Sequence, residues 1–282
     1  MTPIALSIAG SDPSAGAGIQ ADLKTFSALG VYGVTVMTAL TAQNTRGVSV
    51  IEPVRAALVS AQIDAIFADL KVDAVKIGML GQATTIEAVA AALDRHQQKT
   101  VVLDPVLEAS ASATALLAPD AIEPLRHLLI PRALILTPNL PEAAALLGEA
   151  PAESEVQMRG QAERLLGLGV RAVLIKGGHA GGAESVDLYV DAHTQLRLAA
   201  PRIATNNTHG SGCTLSAAIA AGLAKGLAPE DAVAAAKDYV TAAIAAADRL
   251  LIGSGRGPLH HFHAWWPSAL DDVGTGSPPR GG

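Results

Sequence analysis

The stretch IALSIAGSDPSAGAGIQADLKTFSALG, residues 4–30, predicts the fold class of the chain. Its first seven residues are typical of a buried strand, and a turn rich in glycine and serine follows them. Beyond the turn, Ile19, Leu23, Phe26 and Leu29 recur near one face of a helix, which a glycine ends. A strand, a glycine turn and a helix form the first part of a βαβ unit, so we expect a mostly parallel sheet.

The same alternation of strands and helices continues along the chain. Further buried strands are predicted in VYGVTVMTALTAQ, DAVKIGML, TVVLDPVL, ALILTPN and RAVLIKGG. Helices are predicted from Pro53 to about Asp69, and at 84–96, 120–129, 141–148, 155–168, 212–225 and 229–249. The segment ESVDLYVDAHTQLRLAAPRI alternates around a turn, which predicts an antiparallel hairpin at a sheet edge. We expect residues 1–266 to form one α/β domain and the polar tail at 267–282 to be disordered.

Composition and charge exclude several classes of partner. The chain of 282 residues carries a formal net charge of −6, which argues against nucleic acid and anionic membranes as partners. We find no apolar run of about 18 residues that would predict a membrane span, and no signal peptide at the start. The single cysteine cannot form an internal disulfide, which suits a reducing compartment. We therefore expect a cytoplasmic protein that binds a small molecule.

Polar and ligand-binding residue types follow several of the predicted strands. Ligands bind beyond the carboxyl ends of the strands in an open parallel α/β sheet. The residues at these ends are Ser11, Asp12, Gln43, Met79, Asp104, Asn139 and the segment 176–179. Their clustering at one edge of the sheet predicts an enzyme.

The first glycine turn is open to three interpretations. Gly16, Gly18 and Ala21 match the G-x-G-x-x-A spacing of dinucleotide-binding turns. That interpretation also needs an acidic residue at the end of the second strand, where the chain has no acid before Glu52. The other interpretations are a tight turn without a ligand, and a small-substrate loop in which Asp22 accepts a hydrogen bond.

The segment from Gly210 to Cys213 indicates an anion-binding turn. Glycines here precede a helix whose first N–H groups have no partner within the helix and lie at the positive end of its dipole. At such a position we expect the pKa of Cys213 to fall below about 8.5. The alternatives are a simple glycine-rich helix start and a buried cysteine that acts as a small apolar residue.

Charged residues at other strand ends suggest a phosphate and metal site. Asp104 ends an apolar strand, where a carboxylate is costly unless it faces a cleft or a cation. Together with Asn139 and Glu142, it could hold Mg²⁺ through water, although each of these residues could instead have a capping role. Lys176, which two glycines follow, suits a polyphosphate, although a lone lysine there is often only a solvated charge.

Seven motifs resemble the hydroxymethylpyrimidine/phosphomethylpyrimidine kinases of thiamine biosynthesis, which belong to the ribokinase-like superfamily. In order between about residues 3 and 266, they are IAGSDPSAGAGIQADLKTFSALGVYG, TALTAQNTRGV, KIGML, LTPNLPEAAALL, LIKGGH, NTHGSGCTLSAA and GPLHHFHAWW. The resemblance implies a three-layer α/β/α sandwich with a mostly parallel central sheet and an antiparallel edge. It also implies two phosphoryl transfers from ATP with Mg²⁺, first to 4-amino-5-hydroxymethyl-2-methylpyrimidine and then to its monophosphate, in a homodimer.

The resemblance also implies roles for individual residues. The substrate residues are Gly10, Asp22, Gln43, Met79 and Val106, with Gln43 on the aminopyrimidine edge. The nucleotide residues are Lys176, Gly178, His179, Thr208 and Lys237. The metal residues are Asp104, Glu142 and Asn139. The catalytic turn consists of Gly210, Ser211, Gly212 and Cys213, and Cys213 stands where most sugar kinases of the superfamily have an aspartate base. We therefore assign proton acceptance or substrate alignment to Cys213.

Two departures from the family pattern affect the phosphate side. The chain has TNNTHGSGC where the family commonly has TKNTHGTGC, and VLEASASATALL where many members have a Lys-Ser-Gly segment. Both changes remove a cation, which leaves the efficiency of the second transfer open, and Lys237 is expected to compensate. The small residues at 109–114 predict a mobile loop. The alternative functions are a pyridoxal or pyridoxine kinase, which Gln43 and Met79 disfavour, an NAD-dependent oxidoreductase, and a catalytically silent pyrimidine-binding module.

Overall fold

A computed structural model describes residues 1–108, 115–178 and 181–266 of the chain. Three predictions therefore lie outside the described residues: the mobile loop at 109–114, the nucleotide contact of His179 and the disordered tail at 267–282. The single domain at 1–266 stays a prediction.

Eight of the strands form one sheet in the order β10-β9-β8-β7-β6-β5-β1-β2. The strands are β1 (Ile4–Ala9), β2 (Tyr32–Met37), β3 (Ala39–Asn44), β4 (Gly47–Pro53), β5 (Ala74–Ile77), β6 (Val101–Leu103), β7 (Ile135–Leu136), β8 (Ala172–Lys176), β9 (Glu184–Asp191) and β10 (Gln195–Pro201). Neighbouring strands from β2 to β8 are parallel, whereas β9 and β10 continue the sheet as an antiparallel hairpin. The predicted sheet and its antiparallel edge are confirmed.

Helices cover both faces of this sheet. They are α1 (Gly18–Ala28), α2 (Ala56–Asp69), α3 (Ala83–Arg95), α4 (Ile122–Pro124), α5 (Leu140–Leu147), α6 (Glu155–Leu166), α7 (Ser211–Ala224) and α8 (Pro229–Ala245). In β8, Val173 and Ile175 pack into one apolar core and Ala172 and Leu174 into the other, because successive side chains point to opposite faces. The result is the expected α/β/α sandwich. Among the described residues, no helix is long and apolar enough to cross a membrane.

The helices divide between the two faces by the core they help to form. Residues of α2, α3, α5 and α6 pack into one core, and residues of α1, α7 and α8 into the other. Helix α7 is almost completely buried and rich in alanine, and these small side chains let it lie close to the sheet. This packing places the amino-terminal end of α7 above the sheet edge where the polar residues collect.

The prediction of a single strand over 31–43 is wrong. The chain leaves the sheet at Thr38, and β3 pairs with β4 in a separate two-stranded antiparallel sheet. Pro53 ends β4 and does not begin a helix, since α2 starts three residues later at Ala56. Alternation of period two predicts a strand but not the sheet to which it belongs, and proline is accepted on an edge strand because it has no N–H to donate.

The helix predicted over 120–129 is also only partly correct. The segment 119–132 is helical but irregular, with 3₁₀ turns at both ends, the short α4 and a π-helical turn at Leu125–Leu129. Pro124 lies inside this segment, where it cannot donate a helical hydrogen bond. The other predicted helices agree with the structure to within three residues at each end, apart from the last, whose final turn is 3₁₀.

Candidate active site

A cavity of about 160 Å³ opens where the predicted substrate, metal and catalytic residues meet. It lies beyond the carboxyl ends of the parallel strands and against the first turn of α7. The predicted residues that line it are Gly10, Gln43, Met79, Asp104, Val106, Asn139, Glu142, Lys176, Gly178, Gly210, Ser211, Gly212 and Cys213. The structure therefore brings together residues that are up to about 200 positions apart in the chain, as expected for a ligand site at this edge.

A second cavity, of about 330 Å³, adjoins the first. The residues that line both cavities are Lys176, Gly178, Ser211 and Gly212. Thr208 and Lys237 line only the second cavity. The start of α7 and the end of β8 therefore form a wall common to the two cavities. A group transferred from a ligand in one cavity to a ligand in the other would contact the residues of this wall.

The two glycine turns of the site pack directly against each other. Gly210 has a φ of +80°, and a Cβ atom there would lie 1.8 Å from the carbonyl oxygen of Gly16. Gly18 has a φ of +58°, and its Cβ atom would lie 2.4 Å from the carbonyl oxygen of Gly10. Glycine is needed at both positions for the left-handed backbone and for the close approach of the chains. The first glycine turn thus supports the second. This packing explains the glycines of the first turn without a bound dinucleotide.

Asp22 does not line the cavity, contrary to its expected substrate contact. Its carboxylate is fully buried and accepts hydrogen bonds from Ser7 at 2.5 Å and from the Lys76 ammonium at 2.8 and 3.0 Å. Lys76 lies at the floor of the cavity. Burial alone would lower the pKa of Lys76, but the Asp22 carboxylate, together with the nearby Cys213 and Asp104, outweighs burial and keeps this pKa above its usual range. Lys76 was not among the predicted site residues, although a lysine that begins the otherwise apolar run KIGML was a signal.

Lys176 connects two carboxylates at the wall that the cavities share. Its Nζ lies 2.6 Å from Asp104 and 3.7 Å from Glu142. Burial would raise the pKa of Asp104, but the lysine charges hold it below its usual range. Burial dominates at the more distant Glu142 and raises its pKa to about 7, against the attraction of Lys176 and helped by the charge of Asp104. The two carboxylates therefore differ in ionisation near neutral pH.

Asn139 and Glu142 form a capping box at the start of α5. The Asn139 side chain accepts a hydrogen bond from the Glu142 N–H at 2.8 Å, and the Glu142 carboxylate accepts one from the Asn139 N–H at 2.7 Å. The described ranges contain no group of three or more His, Cys, Asp or Glu side chains that could hold a metal ion. A hydrated Mg²⁺ that is carried on phosphates needs only one or two carboxylates from the protein. The Asp104 and Glu142 carboxylates therefore suit such an ion and not one that is fully enclosed by protein ligands.

The prediction of a lowered pKa for Cys213 is wrong. The Cys213 thiol lies at the first turn of α7, at the wall of the first cavity. Burial raises its pKa to about 11, although the Lys76 ammonium acts in the opposite direction. Removal from water outweighs the helix end here, because the thiolate loses more hydration than the donors return. The thiol is therefore protonated at neutral pH.

Lys237 is not a free cation for the phosphate side. Its Nζ lies 2.8 Å from the Asp187 carboxylate, which also accepts a hydrogen bond from the Gly177 N–H at 2.9 Å. Asn206, at the position of the missing lysine, is exposed and lines neither of the two cavities. Arg256, which sequence analysis did not single out, lines the second cavity and donates to the Thr208 hydroxyl at 2.9 Å.

Asp12 and His209 were not assigned a role from the sequence, yet both line the first cavity. The Asp12 carboxylate accepts hydrogen bonds from the N–H groups of Ser14, Gly16 and Ala17 and so shapes the first glycine turn. The Asp-Pro-Ser sequence typical of turns was a signal for this role. The His209 ring lies 2.8 Å from this carboxylate and 3.3 Å from the Gln43 side chain.

The site thus lies at the carboxyl edge of a mostly parallel α/β sandwich, where two cavities meet at the amino terminus of α7. The phosphomethylpyrimidine kinase family model matches residues 12–260. A hydroxymethylpyrimidine/phosphomethylpyrimidine kinase from Rhizobium meliloti (strain 1021) is 61% identical over 266 residues, which cover 94% of this chain and 99% of that protein. The chain therefore belongs to the phosphomethylpyrimidine kinase family.

Solved structures agree with this assignment of the fold. The phosphomethylpyrimidine kinase from Clostridium difficile 630 is 43% identical, with a TM-score of 0.75 over 86% of this chain and 99% of that one. The pyridoxal kinase from Bacillus subtilis, in an ADP complex, is 37% identical, with a TM-score of 0.85 over 94% of this chain and 99% of that one. Both neighbours are kinases, which leaves no support for the oxidoreductase alternative.

Proposed function

We propose that this protein transfers the terminal phosphoryl group of ATP to the hydroxymethyl group of 4-amino-5-hydroxymethyl-2-methylpyrimidine, and then to the resulting monophosphate. The product is the pyrimidine diphosphate used in thiamine biosynthesis. The observation that carries the proposal is the wall common to the two cavities, formed by Lys176, Gly178, Ser211 and Gly212. A pyrimidine in the first cavity and a nucleotide in the second would present their reacting groups to the same donors.

The first cavity suits an aminopyrimidine ring. Gln43 offers a donor and an acceptor on one carboxamide, which matches the ring nitrogen and the amino group of the substrate. Met79 and Val106 supply apolar surface for the ring faces. Gly10 leaves room for Met79, since a Cβ atom at Gly10 would lie 3.0 Å from the Met79 sulfur. A few polar groups in an apolar pocket are typical of small-molecule sites.

The shared wall suits a phosphoryl group in transfer. The Gly210–Cys213 turn presents the first N–H groups of α7, which have no acceptor within the helix. Lys176 adds a positive charge within reach of both cavities. We assign these groups to the negative charge that the transferred phosphoryl oxygens carry, because catalysis of this reaction depends on positioning and charge stabilisation.

Mg²⁺ would neutralise part of the polyphosphate charge when it is bound with the nucleotide. We assign its water ligands to the Asp104 and Glu142 carboxylates, which lie beside Lys176 at the shared wall. Because the Asn139 side chain is engaged in the capping box, its part is to hold Glu142 in place.

Cys213 aligns the substrate hydroxyl in this proposal. With a thiol pKa of about 11, the resting group is protonated and no thiolate waits for the substrate. The hydroxyl proton leaves late, as the new bond to phosphorus forms and the bond to the ADP leaving group breaks, and an oxygen of the transferred phosphoryl group accepts it, since a weak base is sufficient for a loose transition state. Thr208 and Lys237 complete the nucleotide side of the proposal, Lys237 by fixing Asp187 and the glycine segment that follows β8.

The proposal also includes the cellular setting of the enzyme. A cytoplasmic location is supported by the single, unpaired cysteine. A homodimer is supported by the exposed Leu40 and Val50 on the β3–β4 sheet, which stands apart from the main sheet. Light scattering after gel filtration measures the mass, and a monomer would remove this part of the proposal.

A mass-spectrometric time course with Mg-ATP and the hydroxymethylpyrimidine tests the proposed reaction, alongside a parallel reaction with pyridoxal. We expect the monophosphate to form first and the diphosphate to follow it. Monophosphate alone would limit the enzyme to the first transfer, since Asn206 and the sequence after Asp104 lack the usual cations. Consumption of pyridoxal without a pyrimidine product would replace the proposal by a pyridoxal kinase. Gln43→Leu, which keeps the size of the side chain, provides a control for binding of the aminopyrimidine edge.

A further inference from the structure

The Gln43 carboxamide lies between two groups that determine its orientation. The Thr41 hydroxyl lies 3.3 Å from one end of the carboxamide, and His209 Nε2 lies 3.3 Å from the other end. The Gln43 oxygen is assigned to the Thr41 end and the nitrogen to the His209 end. The two ends of a glutamine carboxamide are distinguished by their hydrogen-bond partners, so these partners decide which end is which.

At the His209 end, the chemistry requires an acceptor. His209 Nε2 lies 2.8 Å from the Asp12 carboxylate, whose pKa is held below its usual range by hydrogen bonds and by the imidazole, against the opposing effect of burial. An ionised carboxylate only accepts hydrogen bonds, so Nε2 must carry the hydrogen. An amide nitrogen facing this N–H would place donor against donor, whereas the amide oxygen at 3.3 Å would share the hydrogen as a second, weaker acceptor beside the Asp12 carboxylate.

At the Thr41 end, the chemistry requires a donor. The Thr41 hydroxyl has one hydrogen, and it donates this hydrogen to the Ser11 carbonyl oxygen at 2.8 Å. The hydroxyl can then only accept a hydrogen bond from Gln43. The two ends therefore lead independently to the same orientation, in which the oxygen faces His209 and the nitrogen faces Thr41.

His209 is held firmly enough to impose this orientation. It is 5% exposed, and its backbone N–H donates to the Gly257 carbonyl oxygen at 3.0 Å. A Cβ atom at Gly16 would lie 2.4 Å from the imidazole Cδ2, so the ring packs flush against the first glycine turn. Its Nδ1 is buried and has no partner among the described residues. The ring therefore acts on the cavity through Nε2.

We infer that Asp12 and His209 are positioning residues that lock the Gln43 carboxamide with its oxygen towards His209, and so fix the direction in which the pyrimidine ring binds. The inference rests on the proposed function. Gln43 would accept from the 4-amino group beside His209 and donate to the ring nitrogen beside Thr41. The hydroxymethyl group neighbours the amino group in this substrate, so it comes to lie on the side of His209 and of the Gly210–Cys213 turn that follows it. The reversed carboxamide would direct the hydroxymethyl group away from the turn.

The 4-oxo analogue, 5-hydroxymethyl-2-methylpyrimidin-4-one, tests this lock. It carries an acceptor and an N–H donor in the order opposite to that of the 4-amino substrate. We expect the wild type to prefer the amino substrate by about a hundredfold or more in kcat/KM, because the analogue leaves buried polar groups unpaired. His209→Met removes the donor and frees the carboxamide to turn. The ratio of the two kcat/KM values should then fall by about tenfold or more, mainly through activity lost on the amino substrate.

Three further variants separate positioning from folding. His209→Gln restores an N–H donor and should keep the ratio closer to that of the wild type. Thr41→Val removes the other partner of the Gln43 carboxamide and should also lower the ratio. It provides a second test of the inference if His209→Met does not fold. His260→Met replaces a buried histidine that lines neither cavity and should leave the ratio unchanged.

The outcomes distinguish this inference from the proposed function. If His209→Met lowered kcat/KM for both compounds by the same factor, His209 would have only a structural role and the inference would be overturned. A wild type that phosphorylates both compounds equally would overturn it as well. A wild type that phosphorylates neither pyrimidine would instead overturn the proposed function.

Discussion

Two lysine–aspartate pairs lie near the first cavity, and they differ in their access to water. In the Lys76–Asp22 pair both side chains are completely buried, and Asp22 has Ser7 as a further partner. In the Lys176–Asp104 pair the lysine side chain is 13% exposed, and Glu142 lies on its other side at 3.7 Å. The same two residue types therefore form one closed pair at the floor of the cavity, where Lys76 lines it, and one open pair at its wall.

The comparison indicates that a buried ion pair can act on a ligand only where its lysine still faces the ligand cavities. Lys76 has its charge matched by Asp22 and shifts the pKa of the Cys213 thiol only from a distance. Lys176 lines both cavities and lies between two carboxylates of different ionisation. Disruption of the closed pair should therefore cost stability, and disruption of the open pair should cost rate.

The largest expected effect is on the closed pair. Lys76→Met leaves the Asp22 carboxylate buried without its cation, which we expect to lower the free energy of unfolding by about 3–5 kcal/mol. Urea denaturation followed by circular dichroism measures this loss. The double variant Lys76→Met with Asp22→Asn removes the unmatched charge and should recover part of it. A loss below about 1 kcal/mol for Lys76→Met would show that water reaches this pair.

The open pair should show the opposite balance. Lys176→Met removes the charge at the shared wall, and we expect kcat to fall by about 10²–10³-fold, as for the loss of one transition-state donor. The free energy of unfolding should change less than for Lys76→Met, because Asp104 keeps hydrogen bonds from Thr137 and Ser216 and faces the cavity. Lys176→Arg retains the charge and should retain more of the rate. Equal losses of stability in the two methionine variants would remove the distinction between the pairs.

The alkylation rate of Cys213 reports the pKa of its thiol, which burial raises and the Lys76 ammonium of the closed pair lowers. Because burial raises its pKa to about 11, the thiolate fraction should increase about tenfold for each pH unit between pH 7 and 10. Cys213 is the only cysteine in the sequence, so mass spectrometry after iodoacetamide treatment gives its alkylation rate directly. We expect slow alkylation at pH 7 that accelerates with pH. Fast alkylation with a plateau near pH 7 would instead indicate an activated thiolate.

Substitution of the same residue separates alignment from base catalysis. Cys213→Ser keeps a group that can hydrogen-bond the substrate hydroxyl, and we expect kcat to fall by no more than about tenfold. Cys213→Ala, which keeps neither the hydrogen bond nor the bulk, should lose more. If the serine and alanine variants were equally impaired, the thiol would have a role other than alignment.

The smallest expected effect concerns Glu142 on the far side of the open pair. With a pKa of about 7, Glu142 becomes ionised as the pH rises through neutrality. Activity that depends on its charge should therefore increase by up to about tenfold between about pH 6 and 8. Glu142→Gln keeps an acceptor for the capping box and should remove this dependence, as pH–rate profiles would show. A profile shared by both proteins would assign the dependence to another group.

The same pKa shift has a consequence for stability with a definite sign. The pKa of Glu142 is raised from 4.5 to about 7 in the folded protein, so the folded state holds the proton more tightly. The associated stability is fully present below about pH 4.5 and is lost as the pH rises to about 7. Relative to the wild type, Glu142→Gln should therefore become more stable over this interval, which thermal melts at several pH values would measure.

Sequence patterns predicted the regular part of this structure well. The strand, glycine turn and helix of residues 4–30 gave the correct sheet type, and the glycines before α7 gave the correct wall for the cavity. These features depend on neighbours in the chain, namely on hydrophobic spacing and on backbone conformations that favour glycine. The errors arose where contacts between distant segments decide. Strand β3 joined β4, and Asp22 turned to Lys76 and away from the cavity.

The sequence by itself determined the fold class, the family and most of the residues that line the cavity, because motifs at strand ends converge in any parallel sheet of this type. Only the tertiary structure decided which charges meet, how they ionise and how a side chain is oriented. Lys76 meets Asp22 because α1 and β5 both pack beside β1. Burial of Cys213 at the start of α7 sets the pKa of its thiol. His209 reaches Gln43 and Asp12 across more than 160 positions of the chain. Desolvation and contact act through space, and no local pattern of residues records them.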